Sequence, residues 1–362
     1  MMQNNQAIPF NKDNFKQIFS IPFVLVIIIS IPSAIIADFF NVPLAWFLGP
    51  MLATSLASLM GLKIKMPKLV LSSILILLGL YIGNYIDKDL FSQMHQWIWT
   101  SLIMLIYIII SVLIVSKYLQ KFSNYETKTS IFSAAPGALG PLMILAEDEK
   151  TDLSQVATSH LIRLIIIITV FPFIVNSFYD AKGLEIAQKV IENQNIEDLF
   201  ILIFSSIIFI YFFDKLEIPA ALLSGTLVAS GFLQITEIAS YQISPDIIDY
   251  CLLILGASVG CRFADKTFSE IGRNALHSFV ATFLLVILGV IAALVAGLII
   301  DKNFFTLLLS YCPGGIYEVA VIAIFFDLDP EFVSFHHIIR LLMILFIVPI
   351  MLKIISKKPN LN

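Results

Sequence analysis

Six apolar blocks, Ile21–Ala37, Leu69–Tyr85, Ile98–Val115, Leu199–Phe213, Leu276–Ile300 and Phe304–Phe326, limit what this chain can fold into. Each runs near the roughly 20 residues that a helix needs to cross about 30 Å of hydrocarbon. Backbone N–H and C=O groups cannot stay unpaired in lipid, so only helices or closed barrels span it. The period-two alternation of a barrel is missing here. The chain is 59% hydrophobic and 13% charged over 362 residues, where soluble domains are about one-quarter charged. The sequence therefore predicts an all-α polytopic membrane protein.

The polar segment 1–19 carries Lys12 and Lys16 and leads into the first block without a small-x-small cleavage site. That block reads as a retained helix. The longest polar stretch, 179–197, is linker-sized and leaves no room for a domain that reads nucleic acid. Cys251, Cys261 and Cys312 form neither a CxxC pair nor a ligand-spaced set with the 5 histidines, so no metal or cofactor is expected. The expected partners are the lipid bilayer, a small-molecule or ion ligand, and a second copy or a regulatory protein.

Aligned on itself, the chain is a tandem duplication. Pro136, Gly137, Ala146, Asp152, Val156, His160, Arg163 and Pro172 recur as Pro313, Gly314, Ala323, Asp329, Val333, His337, Arg340 and Pro349, all 177 residues on. Gly79 and Gly83 recur as Gly256 and Gly260 in the same register, whereas Asp38, Pro43 and Gly49 recur as Asp214, Pro219 and Gly225, 176 on. The boundaries follow: a first membrane repeat at 20–178, a linker at 179–197, a second repeat at 198–355 and a basic tail at 356–362.

Loop charge gives the relative orientation of the repeats, because Lys and Arg gather on the cytoplasmic side. In the first repeat Lys63, Lys65, Lys68, Lys117, Lys121 and Lys128 follow the second and fourth segments, and only Lys88 follows the others. In the second repeat the bias reverses, with Lys215, Arg262, Lys266 and Arg273 after the first and third segments and Lys302 alone elsewhere. Such a reversal is the signature of an inverted repeat. Inversion needs an odd number of crossings per half. About five spans each, plus a broken or re-entrant Pro-Gly element, meets that requirement. With both termini cytoplasmic, Lys and Arg then divide 16 inside to 4 outside, Arg163 and Arg340 set aside; twelve full crossings give 14 to 6.

The Pro-Gly element is "SAAPGALGP" in one repeat and "SYCPGGIYE" in the other. Proline removes a backbone donor and glycine weakens helix, so a helix breaks at Pro136-Gly137 and at Pro313-Gly314-Gly315. Non-helical backbone at membrane depth survives where it faces protein or a polar cavity, and transporters use such ends to hold substrate or ion. A plain kink or surface turn is the alternative. Glu318 stands one turn after the second break. It either caps a half-helix against the local dipole or takes up a proton or cation at depth. Pro141 occupies the equivalent place in the first repeat.

Asp152 and Asp329 read as N-caps, with Pro330 at the first helical position. Arg163 and Arg340 then lie eleven residues into their helices, about 16 Å in and near mid-bilayer. His160 and His337 precede them by three residues on the same helix face. A buried arginine must pair or face water. Its partner is an anionic substrate, Glu318, or the carbonyls freed at the breaks, and the last of these makes it structural. His95, His277 and His336 are expected in loops or interfaces. Trp46, Trp97 and Trp99 are expected in aromatic belts. The glycine pairs have the spacing of close helix packing.

Pro-Gly-Gly-x-x-Glu, an Asp before a helix, His-x-x-Arg-Leu and a closing proline resemble the AbrB-type membrane protein family, over essentially the whole chain. The second half matches through Pro313, Gly314, Gly315, Glu318, Asp329, Arg340 and Pro349. The first half departs from the pattern at Ala138 and Pro141. The resemblance implies a duplicated membrane domain. The family has been labelled both a regulator of gene expression and an ammonia monooxygenase. An oxygenase needs clustered ligands, and the histidines are scattered. A transcription factor needs a basic reading surface, and none is present. The expectation is a non-enzymatic protein of the bacterial cytoplasmic membrane, a secondary-transporter-like protein moving or binding a small solute, an anion among the candidates, at a midplane site. A membrane sensor acting indirectly on gene expression is the alternative, and a monooxygenase ranks last.

Overall fold

The computed structural model describes residues 12–86, 94–178, 195–239, 241, 244, 246–264 and 266–356. The first residues of the polar N-terminus, most of the linker, Lys88 and all but the first residue of the basic tail lie outside them. The described chain is helical without strands. The first repeat holds α1 (Lys12–Ile18), α2 (Ile21–Phe39), α3 (Ala45–Leu59), α4 (Lys68–Gly83), α5 (Trp97–Ser123), α6 (Thr127–Ala134), α7 (Leu139–Asp148) and α8 (Leu153–Phe178). The second holds α9 (Ile196–Lys215), α10 (Ala221–Thr236), α11 (Asp246–Cys261), α12 (Phe268–Ala296), α13 (Phe304–Tyr311), α14 (Ile316–Phe325) and α15 (Pro330–Ser356). Both ends of α6 and α7 recur in α13 and α14 at the 177-residue interval read from the sequence.

Among the described residues six helices are long and apolar enough to cross a membrane, and α3, α4, α10 and α11 are shorter apolar helices of 15 or 16 residues. At 1.5 Å per residue the short ones reach about 23 Å. Proline interrupts neither α8 nor α15. Both helices run through Pro172 and Pro349, to Phe178 and Ser356. A proline removes only one rung of the ladder, and each helix has enough remaining bonds to continue.

The chain divides into two compact units. One comprises residues up to Gln93, Pro172–Thr267 and Ile324–Glu331. Here α3 packs on α11 and α4 on α10, each pair joining helices from different repeats. The glycine pairs make this possible. A Cβ on Gly256 or Gly260 would strike Phe47, Met51 and Thr54 of α3, and one on Gly79 or Gly83 would strike Leu223, Thr226, Leu227 and Ser230 of α10. Thr54 Oγ1 donates to Ala257 O at 3.3 Å and Ser58 Oγ to Gly260 O at 3.0 Å. Close small-residue packing is therefore found where the spacing predicted it. Residue numbers rise together along both pairs, so each pair runs parallel.

The other unit comprises Met94–Phe171, Phe268–Ala323 and residues from Phe332 onward. Its α5 and α12 occupy equivalent places in the two repeats and pack on each other. Tyr107 Oη donates to Leu285 O at 3.5 Å, and Tyr118 Oη meets His277 Nδ1 at 3.2 Å. The later residue of one helix meets the earlier residue of the other, so the equivalent helices run antiparallel. The repeats are inverted. The broken element also shows its course. Lys128, at the start of α6, pairs with Glu149, just past the end of α7, at 2.6 Å. Asp152 N donates to Thr129 Oγ1 at 3.3 Å. Both ends of α6–α7 lie together, so the pair is a hairpin that turns back at Pro136-Gly137.

Candidate site at the paired helix breaks

The second compact unit gathers the arginines, the histidines before them, Glu318 and both Pro-Gly breaks. Asp152 caps α8 as expected, its Oδ1 accepting from Gln155 N at 3.0 Å, and Pro330 opens α15. These starts set Arg163 and Arg340 each at the eleventh residue of its helix. Both are buried, as are His160, His337 and Glu318.

Each arginine holds the break of its own repeat. Arg163 donates from Nη1 to Ala135 O and from Nη2 to Ser133 O, both at 2.5 Å. Arg340 donates from Nη1 to Cys312 O and from Nη2 to Gly314 O, the latter at 2.6 Å. The planar guanidinium fork suits two carbonyls left without helical partners. The histidines continue the arrangement one turn earlier. His160 Nε2 lies 3.0 Å from Phe132 O, and His337 Nε2 lies 2.9 Å from Leu309 O. A carbonyl can only accept, so each Nε2 carries hydrogen. Arg340 Nη2 stands 3.0 Å from His337 Nδ1. A guanidinium can only donate, so Nδ1 holds a lone pair and His337 is the neutral Nε2–H tautomer.

The two breaks also meet. A Cβ on Gly137 would lie 3.0 Å from Arg340 Nη2 and 3.3 Å from its Cζ and Nε, so the guanidinium of one repeat rests on the break of the other. The equivalent Gly314 differs: a Cβ there would meet Val319 and Ile167. Tyr107 of α5 lies within electrostatic reach of both arginines, and the arginines of each other. Among the described residues, Arg163 Nε, Arg340 Nε and Ser133 Oγ are buried without a hydrogen-bond partner.

Glu318 is the third residue of α14, with Gly315 at the N-cap, the position from which glutamate reaches back to the cap. Its carboxylate lies where a Gly315 Cβ would be. In the first repeat Ala138 takes the cap with φ 62°, and Pro141 takes the third position. Proline is tolerated there because a first-turn N–H has no helical acceptor.

Three assignments from the sequence need correcting or extending. His336 is not a loop residue. It is fully buried in α15, with Nδ1 2.9 Å from Phe332 O and Nε2 2.8 Å from Thr100 Oγ1. Trp97 is buried against Phe332 and Phe335 rather than placed in a belt. His277 lies within α12 and meets Tyr118. Apart from the local bond to Phe332, no sequence interval marks these contacts, whose partners lie 159 or more residues away. Among the described residues no three His, Cys, Asp or Glu side chains come together as metal ligands.

The chain matches the family model described as "Transition state regulatory protein AbrB" over residues 4–83 and 46–356. Two overlapping matches are consistent with the duplication. It is 21% identical over 319 residues to the "Putative regulator AbrB" of Escherichia coli (strain K12), covering 87% of this chain and 91% of that protein. It is also 21% identical over 290 residues to the "Uncharacterized protein YhjN" of Bacillus subtilis (strain 168), covering 75% of each.

Proposed function

The chain belongs to the AbrB family, and from that premise we propose that it works as a secondary transporter, binding and moving a small anionic solute where the two helix breaks meet. The observation that carries this reading is Arg340 resting on Gly137 of one repeat while it holds Cys312 and Gly314 of the other. Two cations and two broken helices are concentrated in a buried space, as at substrate sites built on discontinuous helices. The arginines have a structural duty in pinning the breaks. Their unpartnered Nε groups remain to receive an anion. Glu318, at the same break, is the group to couple a proton or cation. The protein performs no catalysis in this reading. It sits in the cytoplasmic membrane with both termini inside, as the loop charges favour.

The name of the E. coli relative favours a second reading, a membrane sensor that uses the same residues without net transport. A thermal-stability screen of purified protein separates the two. Small carboxylates, inorganic anions, amino acids and cations are tested at pH 5–8 on wild type, Glu318→Gln and Arg340→Lys. A ligand at about 100 times its Kd adds about 2.7 kcal/mol of stability. The expected result is an anion that stabilises wild type and not folded Arg340→Lys, and that wild type carries into proteoliposomes. Binding without uptake supports the sensor. If no anion shifts wild type, the solute reading fails.

A further inference from the structure

The inverted repeat puts equivalent residues at opposite ends of the arginine pair, and the two ends are chemically unequal. We propose that the pair is reached from the Lys-rich face through a gate of small hydroxyl side chains around Ser159 and Ser278, while an aromatic plug around Trp97 and His336 keeps the opposite face shut. The proposal rests on the solute-binding reading of the site.

Ser159 and His336 are equivalent, each one helical turn on the entry side of its arginine. On the His336 side the space is filled by rings. Trp97 has its centroid 5.2 Å from Phe332 and 5.0 Å from Phe335, and Phe332 lies 4.1 Å from His336. Tyr311 Oη donates to Thr100 O at 2.8 Å, and Thr100 Oγ1 meets His336 at 2.8 Å. Opening this end would unpack large apolar surfaces and break short hydrogen bonds.

On the Ser159 side the residues equivalent to His336, Phe335 and Tyr311 are small, and the rings nearby, Tyr118 and His277, are only part-buried. Thr158 stands where the other repeat has Phe335, and Ala134 where it has Tyr311. Ser278 Oγ reaches Ser159 Oγ at 3.4 Å, and Tyr125 Oη lies 3.5 Å from it. These bonds are long enough for water to replace. Thr158 Oγ1 is buried without a partner, as is Ser133 Oγ beside Arg163. Val115, Leu119, Ala281 and Leu285 close the rest, with Tyr125 among them and Tyr118 packed against them. This end joins α5 where Lys117 and Lys121 follow, the face that loop charge assigns to the cytoplasm.

The test is cysteine accessibility in membrane vesicles of both orientations, on full-length protein whose Cys251, Cys261 and Cys312 are replaced. Lys121→Cys marks one face and Asp301→Cys the other, both positions being exposed. A membrane-impermeant thiosulfonate should modify Ser159→Cys and Ser278→Cys from the Lys121 face. The rate should exceed that of Thr100→Cys at least about tenfold, which corresponds to about 1.4 kcal/mol between the gates. Adding Trp97→Ala should open Thr100→Cys to the Asp301 face. The proposal is overturned if Thr100→Cys reacts from the Asp301 face with Trp97 in place. It also fails if neither serine variant reacts from the Lys121 face. No solute enters this experiment, so its failure is separable from failure of the binding screen.

Discussion

At Gly315 an added Cβ would meet the carboxylate of Glu318, whereas Ala138, its equivalent, is followed by Pro141 in place of a glutamate. The glycine makes room for the acid, and where the acid is missing the glycine is missing too. Gly315→Ala should therefore lower stability by about 1–3 kcal/mol, the usual range for overpacking. Glu318→Ala should relieve most of that loss, with a coupling of about 0.5–3 kcal/mol in a double-mutant cycle read from thermal melts. No relief would mean the carboxylate is not what the glycine accommodates. The arginines make a second contrast. Arg340→Lys keeps the charge but loses the fork to Cys312 and Gly314, so a loss of about 1.5–3 kcal/mol per abandoned charged bond is expected. Arg163→Lys should cost less, because a Cβ on Gly314 would meet Val319 and Ile167, whereas one on Gly137 would meet Arg340. Equal melting temperatures for the two variants would argue against a bridging role for Arg340.

The helices show how much a sequence can say about its own packing. The break at Pro136-Gly137 and the capped start of α8 were readable, because each depends on residues within about a turn of one another. The glycine pairs announced close packing, but not against which helix. The α4 pair meets α10 and the α11 pair meets α3, and nothing local to those helices records that exchange. The aromatic plug was hidden for the same reason: Trp97 and His336 are far apart in the chain, and each alone resembles an interfacial residue. The crossing predicts its own sensitivity. Gly260→Val would drive a branched side chain into Thr54 and Met51 of α3, so the yield of monodisperse protein on size exclusion should collapse. Gly272, also in a helix, has open space around its Cα. Gly272→Ala should instead raise stability, by about 0.5–1 kcal/mol from reduced backbone entropy. Similar damage from both substitutions would remove the packing argument.

For the molecule as a whole, the unresolved number from sequence is ten crossings against twelve, and the Lys128–Glu149 pair bears on it directly. The two charges enclose the α6–α7 hairpin and stand 2.6 Å apart. A pair that crossed the bilayer once would separate them by the hydrocarbon thickness, about 30 Å. The hairpin must therefore enter and leave by one face. The antiparallel α5 and α12 make the second hairpin, α13–α14, enter by the other, so the two breaks approach each other from opposite sides. That arrangement explains why Arg340 of one repeat can reach Gly137 of the other. It predicts that Lys128→Cys and Glu149→Cys react with an impermeant maleimide from the same face as Lys121→Cys. Asp301→Cys should react only from the opposite face. If Lys128→Cys and Glu149→Cys labelled from different faces, the element would be a full crossing and the broken helices would no longer face each other. The shared site would then have to be built some other way.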